Sequence, residues 1–335
     1  MIASLENPDI SWEKNGNMNA GIEFTALRYL TGTLEVFSRK TTDLLLLYPK
    51  APSQGIAGYY ANVGSMVNRG VDLTLGWDII HRGDLVWNVG IIASVLDNKI
   101  LALTSGDEPI VSGSYINKKG YPINSFYMSR SAGVDPLTGN QLYWAYEKDS
   151  DGEMIPGSEY ITADQQVAAN CKYILGSRIP DVYGSFSTAL KWKGFSFDMM
   201  LGYSLGGKIY DSVYQTMMEP SFVGQVYHRN VLRSWKQQGD TSDVPKVTTT
   251  LVTATTDRFL VDASYLSVKN ITLGYDFSSI IRNTVLNRCK AYLSMDNMWT
   301  FTHLDGMNPQ QSFSGSTGFS YVPVRSITLG VDISL

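Results

Sequence analysis

The chain has 335 residues and a formal net charge of -4, with 12% aromatic and only 17% charged residues. Ordinary soluble domains carry about 25% charged residues. The weakly acidic balance without a basic stripe argues against nucleic acid as the main partner, and the 44% hydrophobic content argues against disorder. The longest apolar run, Leu44–Tyr48, is far shorter than the ~18 residues that a membrane-spanning helix needs.

Apolar and polar side chains alternate strictly in blocks of about ten residues along the chain. In the first block, Ile22 and Phe24 lie on one face of a strand, and Gly21 and Glu23 lie on the other. This alternation predicts an all-β protein whose strands have one apolar and one polar face. In chain order, the nine predicted strands are 18–26, a less regular block at 33–39, 71–78, 85–95, 182–192, 195–203, 271–277, 289–295 and 327–335.

Short and long connections alternate between these predicted strands. An outer-membrane barrel has this pattern, with short periplasmic turns, long extracellular loops and aromatic residues near the strand ends. A soluble β-sandwich also alternates, but its strands are usually about five or six residues long, and compact domains seldom hold long irregular loops. We therefore predict an antiparallel transmembrane β-barrel portion in which strand 18–26 runs toward the periplasm. The short connections are 28–32, 79–84 and 193–194, 278–288 is moderate, and the long ones are 40–69, 96–181, 204–264 and 300–325.

The segment NPDISWEKNGNMNAGIEF (7–24) resembles the barrel of SusC/RagA-type TonB-dependent outer-membrane transporters of the Bacteroidota. Further similar segments follow in the order in which that family has them, and together they cover essentially the whole chain. They are NVGSMVNRGVDLTL (62–75), KGYPINSFY (119–127), GVDPLTGNQLY (133–143), LGSRIPDVYGSFS (175–187), GFSFDMMLGYSLGGKIYD (194–211), QQGDTSDVP (237–245), DASYLSVKNITLGYDF (262–277), AYLSMDNMWTFTHLDGMNP (291–309) and YVPVRSITLGVDISL (321–335).

The resemblance implies that residues 1–335 form the C-terminal segment of such a barrel, about nine strands of a ~22-stranded wall. The signal peptide, TonB box and plug domain that family members carry are absent from this chain. Because an open sheet leaves unpaired backbone groups that lipid cannot satisfy, we expect the chain alone to aggregate rather than to transport. Family members usually end on Phe, whereas Leu335 stands there in this chain.

The sequence offers little chemistry for catalysis, and we predict that the protein is not an enzyme and holds no cofactor or metal. Asp149, Asp151 and Glu153 faintly suggest a calcium loop, but they lack the further ligands of an EF-hand, so a solvated acidic turn is the preferred interpretation. Cys171 and Cys289 match no metal or redox spacing, and two unrelated free thiols are favoured over a disulfide.

Aromatic residues in the long predicted loops are candidates for ligand binding. An aromatic ring can stack on the apolar face of a sugar ring while polar neighbours bind its hydroxyl groups. The alternative is that each ring packs the loops against one another or against a partner. The candidate substrate-binding residues are Tyr143, Trp144, Tyr146, Trp235 and His303.

The resemblance implies a multi-pass protein of the cell outer membrane that contributes to uptake of oligosaccharides or peptides. A SusD-like surface lipoprotein would close over the barrel, and TonB would act through the missing N-terminal part. Two other functions stay open. One is a non-functional or structural barrel fragment of a truncated gene, and the other is a soluble β-rich carbohydrate-binding domain.

Overall fold

The computed structural model describes most of the chain. Within the described residues, no helix has both the length and the apolar content to cross a membrane. The described residues are 7–50, 53, 55, 58–103, 106–150, 152–219, 224, 226–248, 254–281, 288–304, 308–311, 315–319 and 321–334.

Strands account for most of the regular structure. Two short helices, α1 (Gln165–Asn170) and α2 (Ser212–Met218), lie among them. In chain order, the strands are β1 (Lys14–Ala26), β2 (Leu30–Thr42), β3 (Leu45–Pro49), β4 (Gly58–Asn62), β5 (Gly64–Arg82), β6 (Leu85–Leu103), β7 (Ile110–Ser112), β8 (Tyr115–Asn117), β9 (Ser125–Val134), β10 (Gln141–Ala145), β11 (Tyr160–Thr162), β12 (Lys172–Ile174), β13 (Val182–Trp192), β14 (Phe195–Leu205), β15 (Lys208–Tyr210), β16 (Leu260–Asp262), β17 (Tyr265–Asp276), β18 (Arg288–Thr302) and β19 (Ser326–Ser334).

The main sheet contains nine antiparallel strands in the order β1-β2-β5-β6-β13-β14-β17-β18-β19. Each strand pairs with the next of these strands along the chain, which is the arrangement of an up-and-down barrel wall. The nine strands predicted from alternation are therefore confirmed. Within the described residues the sheet is open, because β1 pairs only with β2 and β19 pairs only with β18.

Several strands continue past their predicted ends toward the long connections. In β5 and β6, the extensions pair Asn68 with Asn98, and the Asn98 amide donates a 2.7 Å hydrogen bond to the Asn68 side-chain oxygen. Polar residues such as Asn68 and Asn98 interrupt the apolar–polar alternation in these extensions. The predicted strand bounds 71–78 and 85–95 therefore stop short of the observed ones.

One face of the sheet is apolar and uncovered. Ile22, Leu34, Leu73 and Ala93 are cross-strand partners in four successive strands, so apolar side chains form a continuous row. Ile22 is 65% exposed and Leu329, on the last strand, is 78% exposed. No second protein layer among the described residues buries this face.

The opposite face is polar. Gly21, Glu35, Asp72 and Ser94 are cross-strand partners one residue away from the apolar row. Farther along the sheet, the Asn270 amide donates to Asp296 over 2.7 Å and to Ser294 over 3.0 Å. Polar residues that bind one another across strands suit a water-filled lumen.

Short turns join the strands at one end of the sheet. The connection Lys193–Gly194 has φ values of +46° and +88°, which is the left-handed backbone that two-residue hairpins require. The described part of the moderate connection forms a turn in which the amides of Ile280 and Ile281 both donate to the Phe277 carbonyl. The remainder of that connection lies outside the described residues, as does the last residue, Leu335.

The long connections at the other end fold into a layer of their own. We use the name loop layer for the described parts of 106–181, 206–264 and 303–319. It contains a small sheet, ordered β11-β10-β9-β8-β7 with β12 also on β9, and both helices. Its largest apolar core is formed by Phe126, Met128, Tyr210, Met218, Val244 and Phe259.

The end of β18 differs from the strand predicted from the sequence. The alternation predicted a strand over 289–295 only, whereas Trp299 also lies within β18, opposite Val268 of β17. It is 47% exposed, like the other apolar residues on the outer face. The error arose because the strand continues to Thr302, beyond the regular alternation of 289–295.

Candidate functional site

The candidate site lies in the loop layer, beside the hairpin of β9 and β10. The DPLTG sequence forms the turn of this hairpin. A carboxylate oxygen of Asp135 accepts a 3.0 Å hydrogen bond from the Leu137 amide, and the Gly139 amide donates to the Asp135 carbonyl over 2.8 Å. Gly139 has a φ of +71°, a conformation that favours glycine.

The segment 235–246 is bound against this turn. The Trp235 indole nitrogen donates a 3.0 Å hydrogen bond to the Pro136 carbonyl, and the indole ring lies against Gly139. The amide of Gly239 donates to the same Pro136 carbonyl, and the amide of Lys246 donates to the Gly139 carbonyl, both over 2.9 Å. These contacts join parts of the chain about a hundred residues apart.

A cavity of about 630 Å³ lies between the hairpin, α2 and this segment. That is within the usual size range for a small-ligand site. Polar side chains from several elements line it, with apolar residues between them. Those used below are Gln215, Glu219, Lys246, Arg258 and Tyr143.

Glu219 and Arg258 place opposite charges at the cavity. Burial raises the pKa of the Glu219 carboxyl, although a 2.9 Å hydrogen bond from the Gln215 amide opposes the change. Burial lowers the pKa of the Arg258 guanidinium, while attraction to Glu219 opposes that change. Arg258 also lies 5.1 Å from the centre of the Phe259 ring. Both charged groups are therefore partly desolvated.

Tyr143 is the predicted candidate that lines the cavity. Its side chain is 1% exposed and packs with Ala168 and Ala254. Its hydroxyl is buried and makes no hydrogen bond within the described part of the chain. Burial, reinforced by the Glu219 carboxylate, raises the pKa of the phenol to about 12. The phenol is therefore neutral near pH 7 and can donate a hydrogen bond.

Trp144 and Tyr146 follow Tyr143 but do not line the cavity. The Arg130 guanidinium lies 5.5 Å from the centre of the Trp144 ring. The Tyr146 hydroxyl donates to the Lys172 carbonyl over 3.0 Å, and its ring meets Tyr173 edge-on at 5.2 Å. Both rings contact other residues of the loop layer, and a ligand-binding role for them stays a prediction.

Trp235 lies next to the cavity, since the Gly139 against which it packs is one of the lining residues. His303 is exposed just beyond the end of β18 and interacts electrostatically with Asp262. Of the predicted residues, Tyr143 lines the cavity and Trp235 packs against one of its lining residues.

The site residues predicted from the sequence did not include Glu219, Arg258, Lys246 and Gln215. Each lies outside a regular pattern, and none has a spacing that points to a ligand. The one signal was the QQGDTSDVP segment, which belongs to the resemblance and leads directly into Lys246. Contacts across long sequence separations bring these residues together.

The acidic turn and the two cysteines considered in the sequence analysis do not line the cavity. Within the described part of the chain, no group of three or more His, Cys, Asp and Glu side chains is placed to hold a metal ion. The amide of Glu153 donates to the Asp149 carboxylate, and Lys118 forms a 3.2 Å ion pair with Glu153, so these acids form a turn. Asp151 lies outside the described residues. Cys171 and Cys289 are free.

Comparison with known proteins agrees with this architecture. The family model described as TonB dependent receptor-like, beta-barrel, matches residues 2–298. TonB-dependent receptor P3 of Formosa agariphila is 23% identical over 99% of the chain, and TonB-dependent receptor SusC of Bacteroides thetaiotaomicron is 25% identical over 98%. The chain covers 35% and 32% of these relatives, so it spans about a third of their length.

Solved structures show the same fold. The RagAB peptide transporter has a TM-score of 0.85 and 27% sequence identity, over 99% of this chain and 36% of that one. The RagAB peptide importer in its open-open state has a TM-score of 0.83 at the same identity. The open sheet and its loop layer thus correspond to part of a larger outer-membrane barrel.

Proposed function

Because the chain belongs to the TonB dependent receptor-like β-barrel family, we propose that it forms part of an outer-membrane transporter that imports oligosaccharides or peptides. Residues 1–335 would supply the C-terminal part of the barrel wall and several extracellular loops. The plug and the TonB-contacting segment would come from sequence outside this stretch.

The difference between the two faces of the nine-stranded sheet carries this proposal. An exposed apolar face suits contact with lipid, and a polar face suits a lumen that a hydrophilic nutrient can enter. Short turns lie at one end of the sheet and the folded loop layer lies at the other, so the sheet would have a defined orientation across the membrane. The loop layer, with its cavity, would then face the outside of the cell.

A partner outside the membrane and an energy source inside it complete the proposal. A SusD-like lipoprotein would cover the loop layer and hold the ligand over the lumen. TonB would supply the energy through the plug. The resemblance to SusC and to the RagAB peptide transporter supports both partners.

Uptake in cells tests this proposal directly. A strain lacking the gene is given labelled oligosaccharides and peptides, with and without a plasmid copy of the full-length gene. We expect the plasmid copy to restore accumulation of a ligand, and deletion of tonB to abolish that accumulation. Equal uptake in all strains would refute the transport proposal and would favour a structural or non-functional barrel fragment.

The soluble carbohydrate-binding module fits the structure less well. A soluble domain seldom leaves an apolar face of this extent uncovered, because such a face drives association. Extraction of the protein from cell membranes by alkaline carbonate would favour the soluble alternative. Retention in the membrane until detergent is added is the expected result.

A further inference from the structure

We propose that the cavity beside the β9–β10 hairpin binds a carboxylate group of the imported ligand, held by Arg258, Lys246 and the hydroxyl of Tyr143. This inference rests on the proposed function, because it names the chemical class of ligand that is imported. It concerns a site in the loop layer and not the lumen of the barrel.

Arg258 is a partly buried cation that lines the cavity. Its guanidinium carries five N–H donors, yet within the described residues no acceptor and no carboxylate lies at hydrogen-bond or ion-pair distance from it. The carboxylates of Glu219 and Asp243 attract it without lying at ion-pair distance, and its guanidinium lies 5.1 Å from the centre of the Phe259 ring. A partly buried cation without a paired anion is costly. A ligand carboxylate would supply two parallel hydrogen bonds in the fork geometry that guanidinium favours.

Tyr143 supplies a buried hydroxyl group that has no hydrogen-bond partner among the described residues. A buried hydroxyl without a partner costs about 1–3 kcal/mol, so folded proteins rarely keep one without a reason. The Tyr143 hydroxyl is such a group, and it belongs to a side chain that lines the same cavity as Arg258. Arg258 and Glu219 line the same cavity as Tyr143, and both charges act electrostatically on this phenol.

The balance of charge selects the ligand group. The cavity is lined by two cationic side chains, Lys246 and Arg258, against one carboxylate, Glu219. Lys246 is exposed and can attract an anion from solvent, whereas Arg258 lies deeper. Glu219 would accept a hydrogen bond from a hydroxyl or ammonium group elsewhere on the ligand. The fitting ligand therefore carries a carboxylate close to a hydrogen-bond donor.

Two sources share this chemistry, an acidic sugar residue and the carboxylate of a short peptide. Binding is measured by calorimetry on the full-length outer-membrane protein purified in detergent. The probes are a disaccharide that ends in glucuronic acid, its neutral glucose counterpart, trialanine, and trialanine with an amidated C-terminus. We expect at least one acid to bind about tenfold or more tightly than its neutral counterpart.

Three variants separate the site from the fold. Arg258→Gln and Tyr143→Phe should each weaken binding of the preferred acid by about tenfold and leave the neutral counterpart unchanged. Tyr210→Phe is the matched control, because it removes another buried hydroxyl without a hydrogen-bond partner that does not line the cavity. It should leave binding unchanged. Tyr143→Phe keeps the ring that packs with Ala168, so this variant should fold even if Arg258→Gln does not.

The outcomes separate failure of the carboxylate site from failure of the proposed transport function. Equal binding of acids and neutral counterparts, no binding of any probe, or full binding by Tyr143→Phe would each overturn the carboxylate site. If TonB-dependent uptake persists in that case, only the cavity inference is wrong. If no uptake depends on the gene, the proposed function is wrong as well.

Discussion

The Tyr203 side chain lies across Gly184, its cross-strand partner in the adjacent strand, and reaches a third strand. Its hydroxyl donates a 3.1 Å hydrogen bond to the carbonyl of Ile92 in β6. The space over Gly184 is therefore closed by a ring on one side and by backbone on the other. A tyrosine over a glycine thus ties three strands of the wall together.

Replacement of this glycine should weaken the wall. In Gly184→Ala, the new methyl group would collide with the Ile92 carbonyl oxygen, which is backbone and cannot rotate away. We expect a loss of about 1–3 kcal/mol in stability, the usual cost of overpacking. The measurement is the temperature at which the folded, fast-migrating form disappears in a heat-modifiability gel.

Gly202→Ala is the matched control. Gly202 also lies within the sheet, but the methyl group would meet the flexible side chain of Lys269, with its nearest atom 3.2 Å away. We expect little change in the transition temperature. A Gly184→Ala protein as stable as the control would contradict the close packing seen around Tyr203.

The strands were predictable because alternation survives wherever one face meets lipid and the other meets water. The block 182–192 coincides with β13, and 195–203 differs from β14 only at its end. Alternation gave no warning of the Asn68–Asn98 pair, where the strands have left the membrane. Strand bounds there depend on partners that are distant in sequence.

The site was less predictable than the wall. Aromatic composition pointed equally to Tyr143, Trp144 and Tyr146, yet only Tyr143 of these three lines the cavity. Burial of a given ring depends on which distant segment covers it. Arg258 and Tyr143 lie in different connections but line one cavity, and no local pattern in the sequence predicts this arrangement.

Asp211 should matter to the loop layer more than an ordinary helix cap. Its carboxylate is buried and accepts hydrogen bonds from the Tyr214 amide over 3.0 Å and from the Thr317 hydroxyl over 2.9 Å. Asp211→Ala removes a helix cap and takes away the acceptor to which the Thr317 hydroxyl donates, a loss of about 1–3 kcal/mol. We expect faster proteolytic cleavage of the loop layer, with the barrel wall unaffected.

Asp164→Ala provides the comparison. Asp164 caps α1 by accepting hydrogen bonds from the amides of Gln166 and Val167. Unlike Asp211, its carboxylate makes no hydrogen bond to a distant segment within the described residues. Cleavage should therefore accelerate less in this variant. Equal acceleration in both variants would show that Asp211 acts as a cap alone.

Trp235 should hold the segment 235–246 against the hairpin turn. Trp235→Phe removes the hydrogen bond to the Pro136 carbonyl, worth about 1 kcal/mol. Amide hydrogen exchange at Gly239 and Lys246, whose amides bind the same turn, should accelerate by about fivefold. Trp144→Phe should leave both amides unchanged. Unchanged exchange in Trp235→Phe would mean that backbone contacts alone hold the segment.

Two phenols should ionise late. Burial raises the pKa of Tyr143 and of Tyr146 from 10.0 to about 12. Because the folded-state pKa is the higher one, this contribution to stability is complete below pH 10 and is lost as the pH rises toward 12. Tyrosinate absorbance of Tyr143→Phe, subtracted from that of the parent protein, should titrate near pH 12. A difference that titrates near pH 10 would contradict the burial.

The central claim, that one face of the sheet meets lipid and the other meets water, is tested most directly by labelling neighbouring positions of β5. Leu73→Cys and Thr74→Cys are made with Cys171 and Cys289 replaced by alanine, and membranes are treated with a charged, membrane-impermeant maleimide. We predict that Thr74→Cys reacts with this reagent and that Leu73→Cys does not. In a second experiment, Leu73→Cys is unfolded, labelled with a bimane probe and refolded into lipid. We predict that spin labels attached to the lipid quench the fluorescence of this probe. Equal reaction of both cysteines with the aqueous reagent would contradict the account.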